Sequence, residues 1–157
     1  MRHVVYIALG SNLGDRQAQC EAAIRGLEAT GLVRVLARSR WYETEPLVPE
    51  GADARLWGNF INGAVKVETN LEPIDLLHLL KKIEAKLGRG PSLQMWAPRP
   101  IDLDILFYDD LVLNEEGLTI PHPELHKRTF VLEPLCDIAP TFIHPVLGRT
   151  VAELLNA

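Results

Sequence analysis

The stretch Arg99-Pro100-Ile101-Asp102-Leu103-Asp104-Ile105-Leu106-Phe107-Tyr108 decides how this chain folds. From Ile101 onward it reads as a strand. Strand alternation puts Asp102 and Asp104 on one face and leaves Leu103, Ile105 and Phe107 for the other. Upstream, Pro73 opens a helical pattern carrying Ile74, Leu76, Leu77, Leu80, Ile83 and Leu87, and Gly88 ends it. Before that helix, residues 60–67 read as another strand. The first half of the chain repeats the theme. Residues 4–9 form a buried strand, and Gly10-Ser11-Asn12-Leu13-Gly14 makes a turn. Asp15 caps a helix over 15–29 with an apolar stripe of Ala18, Ala22, Ala23, Ile24 and Leu27. Gly31 stops that helix, and residues 32–42 alternate, with Val33, Val35, Ala37 and Trp41 on one face and Arg34, Arg38 and Arg40 on the other.

The resulting order β-α-β-β-α-β predicts an α+β fold of the ferredoxin-like, split βαβ kind: an antiparallel-rich sheet with helices packed on one face. Asp109-Asp110 predicts a turn before 111–113, and short helices are expected over 129–138 and 151–155. Residues 45–58 and 89–100 are too long for tight connections, and loops of that size are commonly functional. They precede the third and the fourth strand, which suggests a lidded site beside the sheet.

Composition narrows the classes. The chain has 157 residues, 16 Lys+Arg against 21 Asp+Glu for a net charge of −5, 47% apolar and 24% charged residues. These figures suit one globular domain spanning 1–157. An acidic chain without Lys/Arg blocks lacks the cationic footprint of a nucleic-acid binder, so no nucleic-acid partner is expected. Cys20 and Cys136 lack C-x-x-C spacing and read as reduced thiols. The first apolar run is too short for a signal peptide or a membrane span, so a cytoplasmic location is expected; a monomer is expected as well.

Two carboxylates on one patch of an apolar strand repel and lose hydration, and a cation is the natural compensation. Carboxylate oxygens suit Mg²⁺, which completes its shell with water and substrate phosphates. The alternative for Asp102 and Asp104 is a solvated strand edge. Arg89, Arg99 and Arg128 in or beside loops favour the phosphate site, because guanidinium groups grip phosphate oxygens bidentately. His122 lies between Pro121 and Pro123, where its ring has a defined direction and can serve as phosphate donor or acid; His126 and His144 compete for that role. Phe60, Trp96 and Phe130 offer aromatic faces, and Asn62 sits two residues beyond Phe60 on the same strand face. Together they suit a flat heterocycle, with core packing as the other reading of each aromatic. Gly10 to Gly14 before a helix is an anion cradle or simply a strand-to-helix turn; it contains no G-K-[ST].

Ile7-Ala8-Leu9-Gly10-Ser11-Asn12-Leu13-Gly14-Asp15-Arg16, Tyr42-Glu43-Thr44-Glu45-Pro46-Leu47, Phe60-Ile61-Asn62, Trp96-Ala97-Pro98-Arg99-Pro100-Ile101-Asp102-Leu103-Asp104, Pro121-His122-Pro123 and Arg128-Thr129-Phe130 appear in that order. Taken together they strongly resemble the 6-hydroxymethyl-7,8-dihydropterin pyrophosphokinases. The resemblance implies diphosphoryl transfer from ATP to the pterin hydroxymethyl oxygen, with release of AMP, in folate biosynthesis. It implies that Asp102 and Asp104 hold two Mg²⁺ ions and that Arg89 and Arg99 are catalytic and grip phosphates. His122, Arg128 and the backbone of Ile105 fall on the nucleotide side. The pterin would stack between Phe60 and Phe130 beside Gly10, with Asn62 reading its edge, Thr44 and Leu47 giving mainly backbone contacts, and Trp96 closing over the site. Met95, Ala97, Glu45 and Phe60 depart from the residues commonest in the family, and residues 91–94 lack a further arginine. A non-catalytic pterin- or nucleotide-binding module of the same fold is the alternative, and retention of both aspartates argues against it. A metal-dependent phosphodiesterase would need a basic groove that the net charge does not suggest.

Overall fold

A computed structural model describes residues 2–12, 15–44, 59–88 and 101–157. Strands β1 (His3–Ser11), β2 (Val33–Arg38), β3 (Tyr42–Thr44), β4 (Phe60–Thr69) and β5 (Asp102–Tyr108) form an antiparallel sheet. Its order is β2-β4-β1-β5, with β3 also on β4, so β5 is an edge strand among the described residues. Helices α1 (Arg16–Ala29) and α2 (Pro73–Lys86) are the two crossovers. The expected α+β, ferredoxin-like arrangement is the one observed.

Both sheet faces are covered, not one. Val5, Ile7 and Leu9 of β1 pack with Val65 and Val67 of β4, Cys20, Ala23, Ile24 and Leu27 of α1, and Leu76, Leu80 and Ile83 of α2. The intervening Val4, Tyr6 and Ala8 face the other way, into a second core with α3 (Thr129–Ile138) and α4 (Val151–Leu155). The last third of the chain thus builds a second layer instead of extending the first. Burying each of these large aliphatic side chains contributes roughly 1.5–3 kcal/mol.

The helix stripes are narrower than the sequence pattern suggests. In α1 the buried residues are Cys20, Ala23, Ile24 and Leu27, whereas Ala18 is exposed. In α2 Ile74 is exposed, and the buried face includes Glu84. Asp15 caps α1 as expected, accepting from Ala18 N at 3.1 Å, and Gly31 follows with a left-handed φ of 72°.

Two bulges correct the simple alternation. In β2 the register passes from Val35↔Val67 to Ala37↔Lys66, so Leu36 is an extra residue and Ala37 turns to the face opposite Val33 and Val35. The expected strand over 32–42 is also interrupted. Ser39 closes β2 by donating its N–H to Ala64 O and accepting from Ala64 N, and Trp41 folds over Gly63 before β3 begins. In β5 the register passes from Ile7↔Ile105 to Tyr6↔Phe107. Leu106 is the extra residue there, and both Leu106 and Phe107 enter the second core. The expectation that Phe107 shares a face with Leu103 and Ile105 is therefore wrong. Beyond β5, Leu113–Glu115 (β6) and Leu118–Ile120 (β7) form a hairpin the pattern did not suggest, turning at Gly117 with φ 82°.

Candidate active site

The sheet face that carries Ala8 also carries Gly10, because side chains two apart share a face. Gly10 pairs with Asp102 of β5 on one side and Asn62 of β4 on the other, and Ala8 pairs with Asp104. Thr44 pairs with Phe60. The register thus brings Asp102, Asp104, Gly10, Asn62, Phe60 and Thr44 onto one face, from four different parts of the sequence. Gly10 keeps this surface flat: a Cβ there would lie 3.3 Å from Asn62 Oδ1 and 3.7 Å from Phe60 Cδ1.

Asn62 is buried, and its Nδ2 donates to Thr44 Oγ1 at 2.6 Å. That bond fixes the amide's orientation and turns its carbonyl oxygen towards Gly10. Asp104 is pushed up to about 6 by burial first, then by the charges of Asp102 and Glu84, against the pull of Lys81 and Arg128. Burial and two neighbouring carboxylates thus both disfavour the ionised form, and a cation placed between the aspartates would relieve that cost. The donor set fits magnesium, whose remaining ligands come from water and phosphate oxygens. No cluster of three or more His, Cys, Asp or Glu residues suited to a metal occurs among the described residues.

Helix α3 brings its first residues to this site. Arg128, at its N-cap, lies over the Phe130 ring with Cζ 5.7 Å from the centroid. Its charge is felt by both Asp104 and His122. His122 follows a cis Ile120-Pro121 bond, and its N–H donates to Leu106 O at 3.0 Å. Its Nδ1 accepts from Glu124 N at 3.2 Å, which leaves the ring proton on Nε2. Burial, and then Arg128, hold the ring below the usual histidine range, against Glu124 and Asp102. Of the competing histidines, His144 is buried against Phe107 and its Nδ1 caps two amides, so it belongs to the second core. His126 lies beside His144.

Ile105 is buried in the first core, so its side chain points away from the site. What it offers is main chain. The Leu103 N–H leaves the sheet to meet Glu84, and ladder alternation then turns the polar groups of Ile105 outward as well. The outer edge of β5 is therefore held by Glu84 before Ile105 and by His122 after it. Leu47, Arg89, Trp96 and Arg99 lie outside the described residues.

Two further groups escape sequence reasoning. Glu84 is 2% exposed and accepts from Leu103 N at 2.8 Å. The signal was present in the sequence, since Glu84 follows Ile83 and lies four residues after Leu80 on the buried helix face. Asp137 of α3 takes Tyr42 Oη at 2.8 Å and the Arg40 guanidinium at 3.2 Å, docking α3 to β3. Nothing local in the sequence announces that pairing.

Residues 6–140 match the family model described as 7,8-dihydro-6-hydroxymethylpterin-pyrophosphokinase (HPPK). The 2-amino-4-hydroxy-6-hydroxymethyldihydropteridine pyrophosphokinase of Methylorubrum extorquens is 42% identical over 96% of this chain and 90% of its own length. The Pseudomonas aeruginosa protein of the same name is 42% identical over 98% of this chain and 90% of its own. The folic acid synthesis protein fol1 of Schizosaccharomyces pombe is 39% identical over 98% of this chain, which spans only 20% of that longer relative. A crystal structure of Plasmodium falciparum HPPK-DHPS with pteroate superposes with a TM-score of 0.75 at 19% identity, covering 99% of this chain and 42% of the other. At that identity the likeness speaks for the fold.

Proposed function

This chain belongs to the 7,8-dihydro-6-hydroxymethylpterin-pyrophosphokinase family, the ATP-dependent diphosphotransferases of folate synthesis, and on that footing we propose how its residues carry the reaction. The reaction moves the β,γ-diphosphoryl group of ATP to the hydroxymethyl oxygen of 6-hydroxymethyl-7,8-dihydropterin and releases AMP. Asp102 and Asp104 would hold the two Mg²⁺ ions of this reading. When bound, magnesium neutralises charge on the attacking and leaving oxygens. The protein's own part is mostly positioning, as phosphoryl transfer requires.

Asn62 presents its carbonyl oxygen to a ring-edge donor of the pterin, with its other end held by Thr44. Phe60 and Phe130 stack on the two ring faces above Gly10, and Leu47 contributes backbone contact. His122 donates from Nε2, and Arg128 adds positive charge on the nucleotide side. The outward-facing main-chain polar groups of Ile105 meet the adenine edge. Arg89 and Arg99 grip the phosphates and Trp96 closes the site, roles supported by the motif resemblance alone. The 157 residues act as one monomeric pyrophosphokinase domain in the cytoplasm. No helix among the described residues is long and apolar enough to cross a membrane.

The observation that carries the reading is the juxtaposition of a carboxylate pair with the Asn62–Thr44 pair across Gly10. A module that only bound pterin would have no use for Asp104, whose ionised form is costly where it sits. Incubation with ATP, Mg²⁺ and 6-hydroxymethyl-7,8-dihydropterin, with AMP and ADP separated by chromatography, tests it. AMP formed in step with pterin diphosphate is expected. ADP as the nucleotide product, or pterin binding without turnover, would overturn it.

A further inference from the structure

We propose that Glu84 is a positioning residue for the Asp102/Asp104 pair, acting through the backbone of Leu103. The inference rests on the reading that those two aspartates bind the metal. Strand β5 is a sheet edge among the described residues, held on its inner side by β1, where Asp102 meets Gly10 and Asp104 meets Ala8. Between them, the Leu103 N–H points off the sheet, where an edge strand ordinarily presents an open donor. Glu84 Oε2 closes that donor at 2.8 Å. Its other oxygen lies 3.4 Å from Lys81 Nζ. The strand segment bearing the two carboxylates is thereby pinned on both sides, by β1 at Asp102 and Asp104 and by α2 at Leu103.

The choice of residue needs explaining, because Glu84 is 2% exposed and adds a third negative charge beside a pair that already repels. An apolar residue on the same face of α2 would avoid that cost and extend the stripe of Leu76, Leu80 and Ile83. An apolar residue could not, however, accept the hydrogen bond from Leu103. A shift of the strand by a fraction of an ångström there would move both carboxylates together, and metal ligands are sensitive to such support.

The experiment compares Glu84→Leu with Glu84→Gln, which retains an acceptor without the charge. Amide hydrogen exchange at Leu103, read by NMR in the free protein, reports the hydrogen bond without any metal. The Mg²⁺ midpoint for turnover, at fixed ATP and pterin, reports the consequence. In Glu84→Leu, Leu103 should exchange at least about tenfold faster and the Mg²⁺ midpoint should rise about tenfold, the scale of an outer-shell loss. In Glu84→Gln both should return to within about threefold of wild type. Pterin binding without nucleotide should be the same in all three proteins. An unchanged Mg²⁺ midpoint in Glu84→Leu overturns the proposal. So does a raised midpoint in Glu84→Gln with Leu103 still protected, since that would be an effect of charge. Should Glu84→Leu fail to fold, unprotected exchange at Leu103 in the wild-type protein would overturn it equally. Failure of the metal reading itself would appear separately, as an Asp102→Asn protein with an unaltered Mg²⁺ response.

Discussion

Asn62 donates its side-chain amide to Thr44 Oγ1 at 2.6 Å, so the orientation of the amide is set before any ligand arrives. A pre-oriented carbonyl loses little freedom on binding, and removing it leaves a ligand donor unpaired, at a cost of about 1–3 kcal/mol. Asn62→Ala should raise the KM for the pterin roughly 10- to 100-fold, with the KM for ATP unchanged. Thr44→Val keeps the carbonyl but frees its orientation, and should give a smaller rise in the same constant. Initial rates with each substrate varied in turn decide this. A parallel rise in both KM values would show that Asn62 acts on the sheet as a whole.

Two glycines on neighbouring strands should respond in opposite ways. A Cβ on Gly63 would collide with the ring of Trp41, which packs against the first core and is held by its Nε1–H bond to Glu21. Gly63→Ala should cost about 1–3 kcal/mol and lower the melting temperature by several degrees, while the folded fraction keeps its substrate constants. At Gly10 the nearest contacts are 3.3 Å and 3.7 Å and involve site residues. Gly10→Ala should melt within about 2 °C of wild type yet bind pterin more weakly. Thermal melts alongside pterin titration separate the two.

The order of strands and helices was legible because apolar spacing is local, and the Asp102/Asp104 pair because strand alternation is local too. The two bulges were not. Leu36 and Leu106 are ordinary strand residues, and their places as extra residues arise only from pairing with β4 and β1. For the same reason Phe107 was expected on the wrong face. The second layer was missed because the stripe of α3, with Val131, Leu132 and Leu135, looks the same whichever sheet face it covers. The motifs single out Gly10, Asn62, Asp102 and Asp104 one by one, but their convergence is a property of register: Gly10 meets Asp102 and Asn62 across two different ladders. Glu84 was hidden by its type, since a glutamate on a helix is usually solvated.

His122 should act as a neutral donor. Burial and Arg128 hold its ring below the usual histidine value, so the neutral form prevails at pH 7. A histidine depressed in this way contributes stability that is present above about 6.5 and is lost as pH falls towards the folded-state value. His122→Gln keeps a donor without the titration. It should reduce the loss of melting temperature on acidification below pH 6.5, and it should retain more activity than His122→Ala. A variant that melts in parallel with wild type at every pH would remove this assignment.

Asp104 titrates with the opposite sign. Its folded-state value is pushed up to about 6, mainly by burial and then by Asp102 and Glu84, against roughly 3.9 for a free side chain. The folded protein therefore binds a proton there more tightly than the unfolded chain does. The stability gained is fully present below about pH 4 and is lost as pH rises through about 6. Without metal, Asp104→Asn should melt progressively above wild type as pH rises from 5 to 7.5, because the amide has no charge to desolvate. Turnover should nevertheless fall by orders of magnitude, as it should for Asp102→Asn. Adding Mg²⁺ with a non-hydrolysable ATP analogue should reverse the order at pH 7.5, raising the melting temperature of wild type and leaving Asp104→Asn little changed. Difference melts between the two proteins at several pH values, with EDTA and with Mg²⁺ plus analogue, measure this directly. A constant offset across the pH range would mean that Asp104 carries no strained charge. An equal response of both proteins to Mg²⁺ and analogue would take the metal away from it.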